Sequence, residues 1–176
     1  MELYEGLLTR RSIRKYNPEK TLTKEEILEL IRAASYAPSA HNKQPWHFVV
    51  VEDKEVLKTI RDFQPWTSFA KDASCMIIVC SDEEETFHRE KEGWSFAQID
   101  GALATQNLLL ACHAKGLGAC ICGAAPMPAV IDALREKFNM PQNMLPIAMV
   151  TIGYPEETPR VPQDRLNLEK VHWGSF

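Results

Sequence analysis

The chain has no apolar run long enough to span a bilayer. Glu2 and Glu5 interrupt its first residues before the apolar core of a secretory leader could form. Neither a membrane-embedded nor an exported protein is expected. A basic excess is also missing: 20 Lys and Arg face 24 Asp and Glu, for a net charge of −4. That balance argues against nucleic acid as the main partner. Cysteine is sparse, at five residues (Cys75, Cys80, Cys112, Cys120 and Cys122). An odd count in apolar surroundings, with no leader, reads as reduced thiols in a cytoplasmic protein. Cys120-Ile121-Cys122 is spaced C-x-C and has no second pair to complement it. It reads as core packing ahead of a metal or redox motif.

The familiar catalytic signatures are absent as well. Gly116-Leu117-Gly118 continues with Ala119-Cys120-Ile121, so it is not a dinucleotide fingerprint. No G-x-x-x-x-G-K-[ST] phosphate loop occurs. His41, His47, His88, His113 and His172 do not fall at a strong metal-binding spacing. His113, on a long apolar segment, reads as a hydrogen-bonded core histidine, and Ser39 lacks a nucleophile-elbow context. Hydrolase and metalloenzyme chemistry recede accordingly.

What is present is an ordinary globular composition, 45% apolar and 25% charged over 176 residues, long enough to bury a sizeable core. Residues 1–9 carry Leu3, Leu7 and Leu8 at helical spacing. Thr23-Lys24-Glu25-Glu26 is a capping box, and Ile27, Leu30, Ile31 and Ala34 continue as an amphipathic helix to about Ala37. Strands are expected at 47–51, 75–80, 116–123 and 145–152, and further helices at 54–61, from Pro65, and at 128–138. Residues 95–115 are apolar around most of a helical circumference, the pattern of a buried central helix. Helices and strands mix without strict alternation, which favours a layered α+β fold. No interdomain linker is visible. The tail from Tyr154, with Pro155, Pro159 and Pro162, reads as an extended arm on a single domain covering 1–176.

Two motifs stand out. Arg10-Arg11-Ser12-Ile13-Arg14 gathers three guanidinium forks and a hydroxyl against an acidic background, a compact site for a small dianion such as a phosphate. Pro38-Ser39-Ala40-His41-Asn42-Lys43-Gln44-Pro45-Trp46 is a polar loop between a helix and an apolar strand. Asn42 and Gln44 can each donate and accept hydrogen bonds there, as the heteroatom edge of a flat ring requires.

Both motifs, in this order, resemble those of the nitroreductase-like oxidoreductases that depend on flavin mononucleotide (FMN). The resemblance continues through Gly116-Leu117-Gly118-Ala119-Cys120 to Gly153-Tyr154-Pro155 and so covers most of the chain. It implies a three-layer α-β-α fold in which a central mixed, mainly antiparallel sheet surrounds a long buried helix. It also implies an intertwined homodimer with FMN at the interface. By position, Arg10, Arg11, Ser12 and Arg14 fall on the phosphate and pyrimidine side of the cofactor. Asn42 matches an asparagine that faces the flavin, with Gln44 beside it. Pro38, Ser39 and Ala40 would come from the opposite subunit. Backbone groups at Cys122 and Gly123 occupy the place of an amide donor to flavin N5. Arg165 matches a late basic residue that returns to the phosphate, and Arg160 is a second candidate. The implied activity is a ping-pong transfer of hydride from NADH or NADPH to small electron-poor acceptors such as nitroaromatics or quinones. A flavin-sequestering protein without turnover would use the same residues. The chain is short for a long lid, so Phe87, Trp94 and Phe96 are candidates to cover the ring.

Overall fold

The computed structural model describes residues 2–89, 91, 93–160 and 163–176. Met1 and Pro162, placed above in the first helix and the tail, lie outside the described residues. In chain order the elements are α1 (Leu3–Thr9), α2 (Lys24–Ala34), β1 (Trp46–Val51), α3 (Lys54–Thr59) and β2 (Cys75–Asp82). A small hairpin, β3 (His88–Arg89) and β4 (Trp94–Ser95), then leads to α4 (Ala97–Ala114), β5 (Gly118–Gly123), α5 (Pro128–Lys137) and β6 (Met144–Gly153).

The main sheet runs β1-β2-β6-β5, and every neighbouring pair is antiparallel. Among the described residues its parallel component is a single bridge between Ser12 and Ala119 at the β5 edge. β2 and β6 are central, and β6 is buried along all ten residues. That burial explains the near-continuous apolar runs, since a strand covered on both faces has no solvent side to carry polar residues. Alternation along β2 sorts its side chains between two cores. Cys75, Ile77 and Val79 pack with Ile27 and Leu30 of α2 and Leu108 and Cys112 of α4. Met76, Ile78 and Cys80 pack with Leu57 of α3 and Val130 and Leu134 of α5. The result is three layers, α2/α4 on one face and α3/α5 on the other.

The capping box forms as its sequence requires: the Glu26 amide donates to Thr23 Oγ1 (3.2 Å) and the Thr23 amide to Glu26 Oε2 (2.7 Å). α2 stops at Ala34, three residues short of the expected end. The Tyr36 and Ala37 amides turn back to Ala33 and Ala34 in tighter bonds, as suits a chain approaching Pro38, which disfavours α geometry just before it.

α4 rests directly on the sheet. A Cβ on Gly101 would stand 2.5 Å from Ile147 Cγ1 and 2.8 Å from Ser81 Oγ, so only glycine permits this approach. Although apolar nearly all round, α4 leaves Ile99 (53%) and Leu103 (38%) exposed in the single chain. No helix among the described residues is long and apolar enough to cross a membrane.

Candidate functional site

The arginine motif leaves α1 and is fixed against the β5 edge. The Ile13 amide donates to Ala119 O (3.0 Å). Tyr16, 2% exposed, donates its hydroxyl to Ile13 O (2.6 Å) and lies 2.9 Å from Thr151 Oγ1 on β6. Burial pushes the Tyr16 phenol well above its ordinary range, so it remains a neutral tether. Gly118 lets Ile13 sit close, because a Cβ there would meet Ile13 Cγ2 at 2.6 Å. These contacts hold the backbone between Arg10 and Arg14 in one position.

Above that backbone lies an open groove of about 560 Å³, lined by Arg10, Arg11, Ser12, Arg14, Arg160 and Arg165 together with Glu157. The tail therefore brings Arg165 and Arg160 back to the first motif. It does so by continuing from β6 alongside residues 15–17: the Asn17 amide donates to Tyr154 O (2.9 Å) and the Glu156 amide to Lys15 O (2.9 Å). Glu157 is the groove's carboxylate, and its Oε1 accepts from the backbone amides of Arg14 (2.6 Å) and Lys15 (3.2 Å). Arg11 is partly committed elsewhere, since Nη2 donates to Leu8 O (3.1 Å) and Nη1 to Arg10 O, capping the end of α1. Burial, then the charges of Arg165 and Arg10, hold the Arg11 guanidinium below its usual value. His113 hydrogen-bonds Thr9 Oγ1 (2.9 Å) and flanks the groove on the α4 side. Burial, then Arg10 and Arg11, lower its basicity.

Next to Arg14 the groove opens into a cleft with Gln64, Trp66, Phe69, Cys122 and Gly123. Arg14 lies over the Phe69 ring (6.0 Å to its centroid). The Ile13–Ala119 bond points the backbone of Ala119 away from β6, and antiparallel alternation carries that direction to Gly123. Gly123 O accordingly accepts from Gln64 Nε2 (3.1 Å) across the open edge, while Cys122 turns its backbone toward β6. Gln64, 7% exposed, and Trp66, 84% exposed, are site-lining residues that the motifs did not reveal. An outward tryptophan beside a buried glutamine is a spatial signal with no local sequence signature.

The Pro38–Gln44 loop lies elsewhere. It enters β1 at the opposite edge of the sheet, three strand spacings or roughly 14 Å from β5. Ala40 and His41 line a second open cleft, about 490 Å³, with Phe87, Arg89 and Phe96. His41 and Phe87 lie with ring centroids 4.0 Å apart, and Phe87 and Phe96 at 5.7 Å. Trp94 is 69% exposed. His41, Asn42 and Gln44 all adopt left-handed backbone, with φ of 52°, 54° and 52°. Asn and His are among the non-glycine residues that visit this region most readily, whereas Gln is strained there. The Gln44 amide donates to Ser39 Oγ (2.9 Å) and the Ala40 amide to Asp100 Oδ1 (3.0 Å). Asp100, on α4, is 1% exposed and its Oδ2 has no hydrogen-bond partner among the described residues. Burial raises its pKa, opposed by the Ala40 amide.

The histidines that sequence spacing set aside include one that the fold brings to carboxylates. His47, Asp82 and Glu85 place potential ligand atoms within 4.8 Å of one another. His47 Nε2 lies 3.3 Å from Glu85 Oε2, and Asp82 Oδ1 already accepts from Asn143 Nδ2 and the Glu84 amide. The cluster accounts for itself as a surface hydrogen bond and a turn cap.

Comparison with known proteins supplies the lineage. Residues 7–67 and 64–154 match the nitroreductase family. The chain belongs to the nitroreductase family. A relative from Methanothermobacter thermautotrophicus, carried under the provisional name NADH dehydrogenase/NAD(P)H nitroreductase, is 38% identical over 97% of this chain and 88% of its own. A crystal structure from Parabacteroides distasonis with the same provisional name superposes with a TM-score of 0.89 at 31% identity, covering 99% of this chain and 98% of that one. An FMN-dependent nitroreductase from Clostridium difficile gives 0.84 at 28% identity, covering 97% and 98%. As a nitroreductase-family member the chain is an oxidoreductase, and its fold class is the α+β nitroreductase fold.

Proposed function

We propose that this nitroreductase-family chain binds FMN and uses NADH or NADPH to reduce small electron-poor organic molecules, nitroaromatics and quinones among them. The observation that carries this reading is the convergence of Arg10, Arg14 and Arg165 with Ser12 in one groove, built from chain ends more than 150 residues apart in sequence. The donor set fits a phosphate: guanidinium forks match its oxygens bidentately, and the hydroxyl adds a neutral donor. The edge amide of Gly123 and the Arg14 guanidinium suit the polar rim of a flavin ring, and Phe69 and Trp66 offer apolar surface beside it.

When bound, the flavin supplies two-electron chemistry, accepting hydride from the nicotinamide and passing it to the acceptor. The chain's own contribution is position and charge. Arg10 and Arg165 anchor the dianion, with Arg11 adding field while it caps α1. Arg14 holds positive charge near the place where reduction deposits negative charge, which favours the reduced form. The Gly123 amide presents a fixed donor that needs no rearrangement. No side chain is required as nucleophile.

Two further parts belong to the proposal. The site is completed by a second copy, whose Pro38–Gln44 loop, including Asn42 and Gln44, would approach the groove together with Phe87 and Phe96. Support comes from the separation of the two motifs across the sheet and from apolar surface left open on one chain. Ile99 and Leu103 on α4, and Leu166, Leu168 and Trp173 (92%) in the arm after Tyr154, are all exposed. The whole of 1–176 then acts as one FMN-binding domain with 154–176 as its arm, working in the cytoplasm, where five unpaired thiols stay reduced.

The test is spectroscopic. The purified protein, reconstituted with FMN, should show a flavin absorbance that bleaches on anaerobic addition of NADH or NADPH and recovers when a quinone is added. Parallel double-reciprocal lines are expected in steady state. Flavin bound but never reduced by either nicotinamide would favour the sequestering role, and a chain that takes up no FMN would overturn the reading.

A further inference from the structure

Cys120 and Cys122 stand two residues apart on β5, and strand alternation sends both side chains to the same face. Both line the cleft of about 180 Å³ beside Arg14, Gln64 and Trp66. Cys122 is half-buried and reachable from the cleft, while Cys120 lies beneath it at 1% exposure. The other three cysteines differ. Cys75, Cys80 and Cys112 are sealed in the core at 0% exposure, and burial pushes each thiol up.

We propose that Cys120 and Cys122 form a dithiol site that chelates one soft, thiophilic centre, with trivalent arsenic as the representative class. The strand geometry selects chelation over a disulfide. Residues i and i+2 of an extended strand are separated by roughly 6.7 Å with their Cβ atoms side by side. A disulfide needs Cβ atoms about 3.5–4.5 Å apart, so closing one here would require backbone movement. A bridging atom lifts that constraint, because it joins sulfurs that need only be neighbours. The two thiols are placed for this, since both stand on one strand face and line the same cleft.

The local field prepares the pair. Its neighbour Cys122 pulls the Cys120 thiol below its usual range against the opposing effect of burial, and Arg14 and Ser12 add to the pull. Cys120 and burial together push Cys122 up. An aryl arsenoxide carries one As=O group; two S–H groups add, two As–S bonds form, and the oxygen leaves as water. Arsenic stays trivalent and nothing is oxidised or reduced. This chemistry needs no flavin, so its failure would leave the proposed function untouched.

The experiment treats the full chain with one equivalent of phenylarsine oxide and reads the intact mass. One adduct per chain should form, survive excess 2-mercaptoethanol, and be removed by a dithiol. Alkylation after denaturation should find Cys120 and Cys122 protected while Cys75, Cys80 and Cys112 are labelled. Cys122→Ser, at a half-buried position, should lose the monothiol-resistant adduct. Protection mapped to any other pair, an adduct that Cys122→Ser retains, or no adduct on the folded wild-type chain would each overturn the proposal.

Discussion

The arginine groove and the Pro38–Gln44 loop carry the two most informative stretches of sequence, yet the fold treats them differently. The groove is complete within one chain. Its backbone is bonded to β5, tethered to β6 through Tyr16, and closed by a tail that returns Arg165. The loop is held out at the far edge of the sheet, with three left-handed residues and a single anchor to α4 through Asp100. Strain of this kind is stored where the surroundings over-determine it, and functional segments are where it collects. One motif gathers its charges within one chain, while the other is a strained polar loop set apart from them. The proposed site accounts for the difference by drawing its electrostatic half and its shape half from different copies of the chain.

Breaking the groove should have the largest effect. Charge-assisted hydrogen bonds contribute about 1.5–3 kcal/mol each, so Arg10→Ala combined with Arg165→Ala should weaken FMN binding at least about 100-fold. Fluorescence titration would measure this, and the loss should be steeper for FMN than for riboflavin, which lacks the phosphate.

Gly118→Ala attacks the same half through packing. Its new methyl would press on Ile13, an overpacking that costs about 1–3 kcal/mol, and would displace Ser12 and Arg14 with it. A lower urea midpoint together with weaker FMN binding is expected; a stability loss that leaves affinity intact would show that the groove tolerates the shift.

Tyr16→Phe removes only the tether. A net hydrogen bond contributes about 1 kcal/mol, so the melting temperature should fall by roughly 2–4 °C at this chain length.

The smallest effect belongs to the loop's anchor. Burial raises the Asp100 pKa, so the folded chain holds this proton more tightly than the unfolded chain does. That contribution to stability is fully present below the ordinary carboxylate value of about 3.9. It is lost as pH rises through the folded pKa. Asp100→Asn should remove this component of the pH dependence while keeping an acceptor for the Ala40 amide. Thermal melts of both proteins across acid to neutral pH would expose the difference in slope. Identical slopes would mean that Asp100 titrates as it does in the unfolded chain.

Much of this was legible in the sequence because it is local. The capping box at Thr23 and Glu26, the doubly covered strands, and the guanidinium cluster at Arg10–Arg14 all follow from residue type and spacing. The end of α2 was misplaced by three residues because the chain tightens ahead of Pro38 instead of stopping at it. Ile99 and Leu103 show why apolarity around a helix was a poor guide to burial: an apolar residue exposed in the single chain looks the same in sequence as one in a core. Gln64 and Trp66 went unseen because their part in the site depends on where the segment after α3 crosses the β5 edge, which is a tertiary fact. Cys120 and Cys122 were visible as a pair, but only the strand's alternation and its place at an edge separate a cleft-lining dithiol from core filling.

The most direct test of the two-copy site is complementation. One chain carries Arg10→Ala and Arg14→Ala, and the other carries Ser39→Ala and Asn42→Ala. The two are co-expressed with different affinity tags, and the mixed dimer is isolated. FMN per dimer is then counted by absorbance, at a concentration where neither parent dimer retains the cofactor. A site shared between copies predicts one FMN per mixed dimer, because one of the two interfaces pairs an intact groove with an intact loop. A mixed dimer as empty as its parents would place both motifs at the same flavin within one chain and contradict the account.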